Sequence, residues 1–504
     1  MKALPDRLAR IFYVIGGLLF LLLLIGVTAA SPWLPAPALA LLPFAGWLAL
    51  LIAVVRLARA RAAWLEERWR WIFIAFLLAV FGVLAAFGFL LRTDPAFDFE
   101  AVFRGAETWL KTGSLGEYAD YFYYFPNNLG AALLLREVFR AASLIGVRDF
   151  YAVGTAFNCL LLTAAAGLTV CTARKLWGDE KAALTLFLWA GALPLYFFAP
   201  IFYTDALSLV FPIFLYYGWL KARESEAWPR RVGWLLAAGA ACGLGMSIKA
   251  TVAVAAVAVL IEWLLFGPRL RLLAGIAAGA VAAALVYCGI GAIPYLEGTL
   301  DRQRAARQNT PLVHWIMMGL KGNGGYNAED YAFTRSFADP DERIAADKQV
   351  IRERLAEYGF GGYLAFLYQK GVVTLGDGTY QVESFLDDNP CYQTPLHTAA
   401  IGTGPANRVF SLVCQGFHLL LLFLFAFGCL WDGLRRAPEE RGFRQLVPRL
   451  SVFGLLLFLL MWETSPRYLV NFLPLLFLGA AQGAEPLCAG LQQAPAHGAR
   501  RKRS

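Results

Sequence analysis

Three carboxylates crowd one short stretch, Thr93-Asp94-Pro95-Ala96-Phe97-Asp98-Phe99-Glu100, directly after a long apolar run. Asp94, Asp98 and Glu100 are of the type that accepts a proton or holds a hard cation through oxygen. Other ionisable residues sit where apolar runs begin, turn or end. Asp205 follows Pro200-Ile201-Phe202-Tyr203-Thr204, Lys249 lies inside the long run 232–266, and Glu463, Arg467 and Tyr468 lie between the last two runs. Arginine and lysine in such places hold anions, arginine through a two-pronged fork. A charge at a membrane edge or inside it is costly, so it marks a functional candidate by default. Plainer readings stay open beside that one. Asp98 suits a helix cap, Glu463 and Arg467 suit an i,i+4 pair, Lys249 suits snorkelling to the surface, and Tyr121-Phe122-Tyr123-Tyr124-Phe125-Pro126-Asn127-Asn128 suits an interfacial aromatic belt.

The elements that must position these residues follow from composition. The chain has 504 residues, 59% apolar and 16% charged, with a mean hydropathy of +0.55. Soluble domains run nearer ~45–50% apolar and ~25% charged. A soluble multidomain enzyme, a disordered chain and a disulfide-stapled secreted protein are therefore excluded. The net charge of +9 sits in short loops between apolar runs, and no basic stripe with interleaved aromatics points to nucleic acid. The eight cysteines include no CxxC pair, and only Cys391 falls in a long polar loop, so neither a disulfide framework nor a zinc site is expected.

Apolar stretches of about twenty residues span a ~30 Å hydrocarbon core. Twelve are expected, at 11–30, 37–55, 71–91, 150–173, 181–199, 203–220, 232–248, 250–266, 271–293, 407–430, 449–462 and 468–486. The first is too long for a signal-peptide core and is read as an uncleaved span. The run 232–266 would make one helix of ~52 Å, with Lys249 near its middle, so two spans turning at Ser247-Ile248-Lys249 are expected. The run 128–146 carries Arg136, Glu137 and Arg140 and is read as an amphipathic surface helix. With that choice the basic loops around Arg56–Arg70, Arg174-Lys175, Lys221–Arg231, Arg269–Arg271, Arg435–Arg449 and the tail Arg500–Arg503 all face the cytoplasm, as do both termini. Residues 92–149 and 294–406 then lie on the opposite face. The expected organisation is 1–70, two spans and a basic loop; 71–293, a membrane core; 294–406, a large external loop; 407–486, the C-terminal spans; and 487–504, a basic cytoplasmic tail.

The order of these motifs resembles the membrane glycosyltransferases of the GT-C superfamily, in the bacterial branch related to protein O-mannosyltransferases and lipid A aminoarabinose transferases. Asp98-Phe99-Glu100-Ala101 through Leu110-Lys111-Thr112-Gly113 keeps that family's spacing from an external Asp to a helix-ending Gly. Tyr124-Phe125-Pro126-Asn127-Asn128-Leu129-Gly130 stands where the family has an aromatic-Pro segment and surface helix. Ala173-Arg174-Lys175-Leu176-Trp177-Gly178 matches its basic turn. Gly243 to Lys249 resembles its Gly-Leu-Ala-x-x-Thr-Lys pattern, and Arg467-Tyr468 with Leu473-Pro474 its Arg-Tyr…Pro. The resemblance covers about residues 71–265 and 455–485. This chain departs from it at Phe99, where relatives carry Glu, and at Phe125, where many carry Lys or His.

The resemblance implies an all-α, GT-C-like bundle of about 12 transmembrane helices with juxtamembrane helices on the non-cytoplasmic face of a bacterial cytoplasmic membrane. It implies an inverting transfer of a sugar from a polyprenyl-phosphate donor to a lipid, protein or glycan acceptor. Asp98 is then the expected general base and Asp94 the alternative. Arg467 and Lys249 are the expected phosphate ligands, Tyr468 and Tyr124 orient sugar or phosphate, and Asp205, Glu463 and Glu100 complete the site. No cofactor is expected; a divalent cation held by Asp94, Asp98 and Glu100 is the less favoured alternative. Rival functions are a transporter or flippase, a polymerase or ligase using a polyprenyl-diphosphate donor, and a non-catalytic scaffold. The stretch 340–358, with Asp339, Asp341, Glu342, Arg343, Arg352, Glu353 and Arg354, is read as a solvated helix.

Overall fold

The computed structural model describes residues 3–267, 270–386, 389–402, 404–435, 437 and 444–493. The tail beyond residue 493, residue 269 and most of 436–443 lie outside the described residues, as do the side chains of Arg271 and Cys488. The described chain is helical, with one isolated antiparallel bridge, Thr93 to Pro390. In chain order the helices are α1 (Ala3–Ala30), α2 (Leu41–Ala60), α3 (Ala62–Leu90), α4 (Phe97–Thr112), α5 (Ala119–Tyr124), α6 (Leu129–Leu144), α7 (Phe150–Trp177) and α8 (Asp179–Gly191). Then come α9 (Leu193–Phe197), α10 (Thr204–Leu207), α11 (Val210–Glu224), α12 (Trp228–Ile248), α13 (Val252–Phe266) and α14 (Leu270–Leu296). The region after them holds α15 (Arg302–Gln308), α16 (Leu312–Met318), α17 (Ala328–Arg335), α18 (Pro340–Leu375), α19 (Glu383–Leu386) and α20 (Pro395–Ala400). The last three are α21 (Pro405–Leu434), α22 (Val447–Met461) and α23 (Leu473–Gln493).

This is a polytopic all-α membrane protein. Among the described residues, seven helices are long and apolar enough to cross a membrane: α1, α2, α3, α7, α12, α14 and α21. The other five of the twelve expected spans are short or broken. α13 and α22 have 15 residues each, about 22 Å of helix against a ~30 Å core. The 181–199 run breaks between α8 and α9 at Ala192, and the 203–220 run breaks between α10 and α11. The last run begins as a 3₁₀ helix, Pro466–Phe472, before α23. Irregular backbone at membrane depth is tolerated only where protein or a water-filled cavity surrounds it. Asp205 lies in the short α10, Arg467 in the 3₁₀ segment, and Lys249 in the turn that precedes the short α13.

α21 is mostly buried against α1, α2 and α23, whereas α14 is largely exposed and peripheral. α14 is held mainly by α12, along a seam of small residues. Gly239 and Gly243 of α12 lie so close to the backbone of Gly279 and Ala283 that a Cβ at either would collide with it. Gly239-x-x-x-Gly243 and Gly275-x-x-x-Gly279 are the small-residue spacing that lets two helices touch without side chains between them.

α12 ends at Ile248, Lys249 is extended (φ −150°, ψ 112°), and α13 starts at Val252, so the expected turn is present. α4 buries Phe99, Val102, Phe103, Ala106 and Trp109 on one stripe and stops at Gly113, whose φ of 74° favours glycine. α6, the predicted amphipathic helix, packs on α4 and buries Arg136, whose guanidinium lies 4.0 Å from the Trp109 ring and bonds Glu297. α18 kinks at Gly359 (φ 58°). Its first half is less solvated than the sequence suggests. Asp339 caps it and Glu342 is exposed, but Arg343 is buried against the carbonyls of Arg307, Asn309 and Phe337. Arg354 is ion-paired with Asp330 at 2.7 Å.

Candidate active site

Asp98 stands in the first turn of α4, one residue after Phe97, whose φ of 52° is left-handed for a non-glycine residue. It is not the helix cap; Ala96 holds that position. The carboxylate accepts a hydrogen bond from the Tyr121 hydroxyl at 2.9 Å and a longer one from Tyr203 at 3.4 Å. The Asn128 amide in turn donates to the Tyr121 hydroxyl. Burial, then the nearby Tyr203 and Asp98, push the Tyr121 phenol well above its usual range, so it stays a donor. The tyrosines converge because α4 packs on the Phe202-Tyr203 segment: the Phe99 and Phe202 rings meet edge to face at 4.8 Å.

Arg467 lies across Tyr203 from Asp98. Its guanidinium carbon is 5.8 Å from the Tyr203 ring, 5.2 Å from Phe385 and 5.3 Å from Tyr468. Among the described residues this half-buried cation has cation–π contacts and no hydrogen bond or ion pair. The i,i+4 pairing with Glu463 does not form. Glu463 is buried and accepts from the Tyr468 hydroxyl at 2.7 Å.

Lys249 does not snorkel. It forms an ion pair of 2.5 Å with Asp205, which is 1% exposed, and its ammonium sits 4.2 Å from the Tyr468 ring. One Asp205 oxygen, Oδ2, is buried without a partner among the described residues. Asn471 donates to Thr251 at 3.0 Å, tying the 3₁₀ segment to the α12–α13 turn.

Asp98, Asp205, Lys249, Glu463, Arg467 and Tyr468 thus form one cluster from four distant segments. Three predicted residues do not join it. Asp94 is mostly exposed and paired with Arg104 at 3.0 Å. Glu100 accepts from Tyr118 at 3.3 Å. Tyr124 is covered by the Arg335 guanidinium, 3.8 Å from its ring. The three loop carboxylates therefore face three different partners, and no group of three or more metal-ligating side chains occurs among the described residues. Four site residues escaped the sequence reading: Tyr121, Asn128, Tyr203 and Phe385. Tyr121 and Asn128 lay in the stretch read as a belt, Tyr203 marked a span start, and nothing local singles out Phe385. A cavity of about 360 Å³ beside Pro126, Tyr295 and Arg302 is lined by none of the cluster.

A family model described as "Conserved hypothetical integral membrane protein" matches residues 36–486. No curated protein matches the chain. Among solved structures, the archaeal oligosaccharyltransferase AglB from Archaeoglobus fulgidus, in complex with an inhibitory peptide and a dolichol-phosphate, is 15% identical with a TM-score of 0.42. The alignment covers 88% of this chain and 53% of that one. A second Archaeoglobus fulgidus oligosaccharyltransferase structure, tethered to an acceptor peptide containing the NVT sequon, is 14% identical with a TM-score of 0.29 over 84% and 56% of the two chains. This chain therefore spans about half the length of those structures. Both scores are low, and the functional reading rests on the residues of the cluster.

Proposed function

We propose that this chain, which belongs to the conserved hypothetical integral membrane protein family, is a membrane glycosyltransferase. It moves a sugar from a polyprenyl-phosphate donor to a cell-envelope acceptor on the non-cytoplasmic face of the bacterial cytoplasmic membrane, with both termini inside. The observation that carries the proposal is the uncommitted Arg467 guanidinium beside the Asp98 carboxylate, the two sharing Tyr203. A base and an anion receptor that flank one tyrosine suit a reaction that takes a proton at one point and releases a phosphate at another. The motif order that resembles GT-C enzymes supports the same reading.

In this reaction the acceptor hydroxyl oxygen attacks the anomeric carbon, and the bond from that carbon to the phosphate oxygen breaks. Asp98 takes the hydroxyl proton, an effect typically worth 10²–10⁴-fold. Tyr121 and Tyr203 aim its two oxygens. Arg467 meets the charge that develops on the leaving polyprenyl phosphate, and a fork of donors grips such a group in two places. A donor that enters from the bilayer fits a site built at breaks in membrane helices. Attack opposite the leaving phosphate inverts the anomeric centre. Lys249 is already neutralised by Asp205, so it orders Tyr468 more than it binds phosphate. Asp94 is committed to Arg104 and is a weak rival as base. The transfer as written needs no metal, and the divergent partners of Asp94, Asp98 and Glu100 support a metal-independent reaction; EDTA is expected to leave it intact.

The test is sugar transfer in membranes that overexpress the chain, supplied with a panel of labelled polyprenyl-phosphate sugars. Label is expected to leave the donor lipid with wild type and at most about a hundredth as fast with Asp98→Asn. Near-wild-type turnover by folded Asp98→Asn removes Asp98 as the base. No transfer from any monophosphate donor shifts the reading to a diphosphate-linked donor or to transport.

A further inference from the structure

The segment Trp462–Arg467, which ends in the uncommitted guanidinium, is gripped in register by one stretch of the 294–406 region. Lys370 donates to the Trp462 carbonyl at 2.7 Å and to the Gly319 carbonyl at 2.5 Å. Thr374 and Thr464 hydroxyls share a hydrogen bond of 2.8 Å. The Ser465 hydroxyl donates to the Gln381 side-chain oxygen. Phe385 lies under Arg467 at 5.2 Å. Residues 370, 374, 381 and 385 thus meet 462, 464, 465 and 467 in the same order.

Two features mark the Gln381 contact as specific. Ser465 occupies the N-cap position of the 3₁₀ segment Pro466–Phe472, yet its side chain makes no cap bond and is spent on Gln381 instead. Serine at that position ordinarily caps. Gln381 is also held in a strained turn: Tyr380 and Gln381 have φ of 55° and 53°, two successive non-glycine residues in the left-handed region. The turn is over-determined. Asp377 accepts from the Thr379 amide, the Thr379 hydroxyl and the Gln381 amide at 2.7–2.8 Å, and the Tyr380 hydroxyl meets buried His418 at 3.0 Å. Strain held this firmly points to a function for the conformation it maintains.

We propose that the Lys370–Phe385 stretch is a positioning element that sets the Arg467 guanidinium opposite Asp98, with the Gln381–Ser465 hydrogen bond as its final restraint. The inference rests on the reading of Arg467 as the phosphate receptor. It gives the 294–406 region a part in the site itself, where a detached external domain would have none.

The experiment uses the full chain in nanodiscs, titrated with undecaprenyl phosphate. Gln381→Ala and Ser465→Ala are each expected to weaken binding about two- to tenfold, the range of one hydrogen bond. The double variant is expected to add nothing further, because both residues serve one contact. Ser465→Thr, which keeps the hydroxyl, is expected to restore binding. Arg467 modification by phenylglyoxal, read by mass spectrometry, supplies a measure that needs no lipid phosphate: its rate is expected to change severalfold in Gln381→Ala. Single variants that bind and label like wild type, while Arg467→Met loses binding, overturn the positioning role and leave the phosphate receptor standing. Wild type that binds no undecaprenyl phosphate sinks the transferase reading instead, and an unchanged labelling rate then overturns the positioning as well.

Discussion

Replacing Arg467 and Lys249 in turn by methionine separates a cation that waits for a ligand from one that holds the fold together. Lys249 is paired at 2.5 Å with Asp205, which is 1% exposed and already has one unpartnered oxygen. Lys249→Met leaves that carboxylate buried and alone, a change that typically costs ~3–5 kcal/mol. Arg467 has no ion partner to strand. Removing it forfeits three cation–π contacts of ~0.5–2 kcal/mol each, but it also abolishes the desolvation of an unpaired guanidinium, several kcal/mol in the other direction. These terms nearly cancel, so Arg467→Met is expected to stay within about 1 kcal/mol of wild type, with methionine filling apolar space among the rings. Unfolding in mixed detergent micelles, followed by tryptophan fluorescence, reads the difference. Lys249→Met with Asp205→Asn should recover much of the single-variant loss, since no charge is left buried. Binding runs the other way: Arg467→Met should weaken undecaprenyl phosphate by about 10–150-fold, the worth of hydrogen bonds to a charged group. Equal destabilisation by Arg467→Met and Lys249→Met refutes the argument, because it means Arg467 is committed to a partner inside the fold.

Other outcomes follow from single contacts. Tyr203→Phe removes one of two hydroxyls on Asp98 and should lower transfer about tenfold while leaving the aromatic packing in place, as measured by label release from the donor lipid; an unchanged rate denies Tyr203 a part in aiming the base. Asp94→Asn should alter transfer less than threefold, roughly, since an exposed ion pair such as Asp94–Arg104 contributes little. The buried chain His314–Thr334–Asp347, with links of 2.7 and 2.8 Å, carries two opposing pH effects. Burial pulls His314 from 6.5 to about 4, so the fold favours its neutral form and loses stability as pH falls from 6.5 toward 4. Burial pushes Asp347 from 3.8 up to about 6, so its stabilising neutral form is lost as pH rises through that interval. The two slopes offset in wild type. Asp347→Asn should expose the histidine alone, a loss of up to about 3 kcal/mol between pH 6.5 and 4, and a flat profile in that variant contradicts it. Gly239→Leu should force α12 and α14 apart and cost at least about 1–3 kcal/mol, measured by the same micelle unfolding.

The membrane character, the turn at Lys249 and the course of α4 to Gly113 were legible because each rests on a local rule: length of apolar run, cost of a buried charge, conformational freedom of glycine. The broken spans were not. A run such as 203–220 has the composition of a span, and its break between α10 and α11 answers tertiary demands around Asp205. The charged residues of the site were visible as types out of place, but their partners were not. Beside its reading as a base, Asp98 also suited a cap because caps are local, whereas Tyr203 reaches it from 105 positions away. Asp94, the alternative base, and Glu100 stood close to Asp98 in sequence, yet Asp94 pairs with Arg104 and Glu100 accepts from Tyr118. Tyr124 stood with Tyr121 in one aromatic run, and the end of α5 separates them: Tyr121 reaches Asp98 and Tyr124 stacks under Arg335.

The neighbours of Arg467 explain why its isolation is informative. Lys249 is matched by Asp205, Lys370 by two carbonyls, Arg104 by Asp94 and Arg354 by Asp330. A chain that finds partners for these cations so thoroughly has the means to pair Arg467 too, and Glu463 stands only four residues away. Instead Tyr468 claims Glu463 at 2.7 Å, and Arg467 is turned onto aromatic faces that attract it without satisfying its donors. Its five N–H groups are thereby kept for something the protein alone does not provide. An arrangement that diverts the obvious partner and holds the cation in place is costly to the empty protein, and such a cost is tolerated where ligand binding repays it. A half-buried guanidinium without an ion partner beside an aimed carboxylate is therefore better explained by an anionic leaving group than by the needs of the fold.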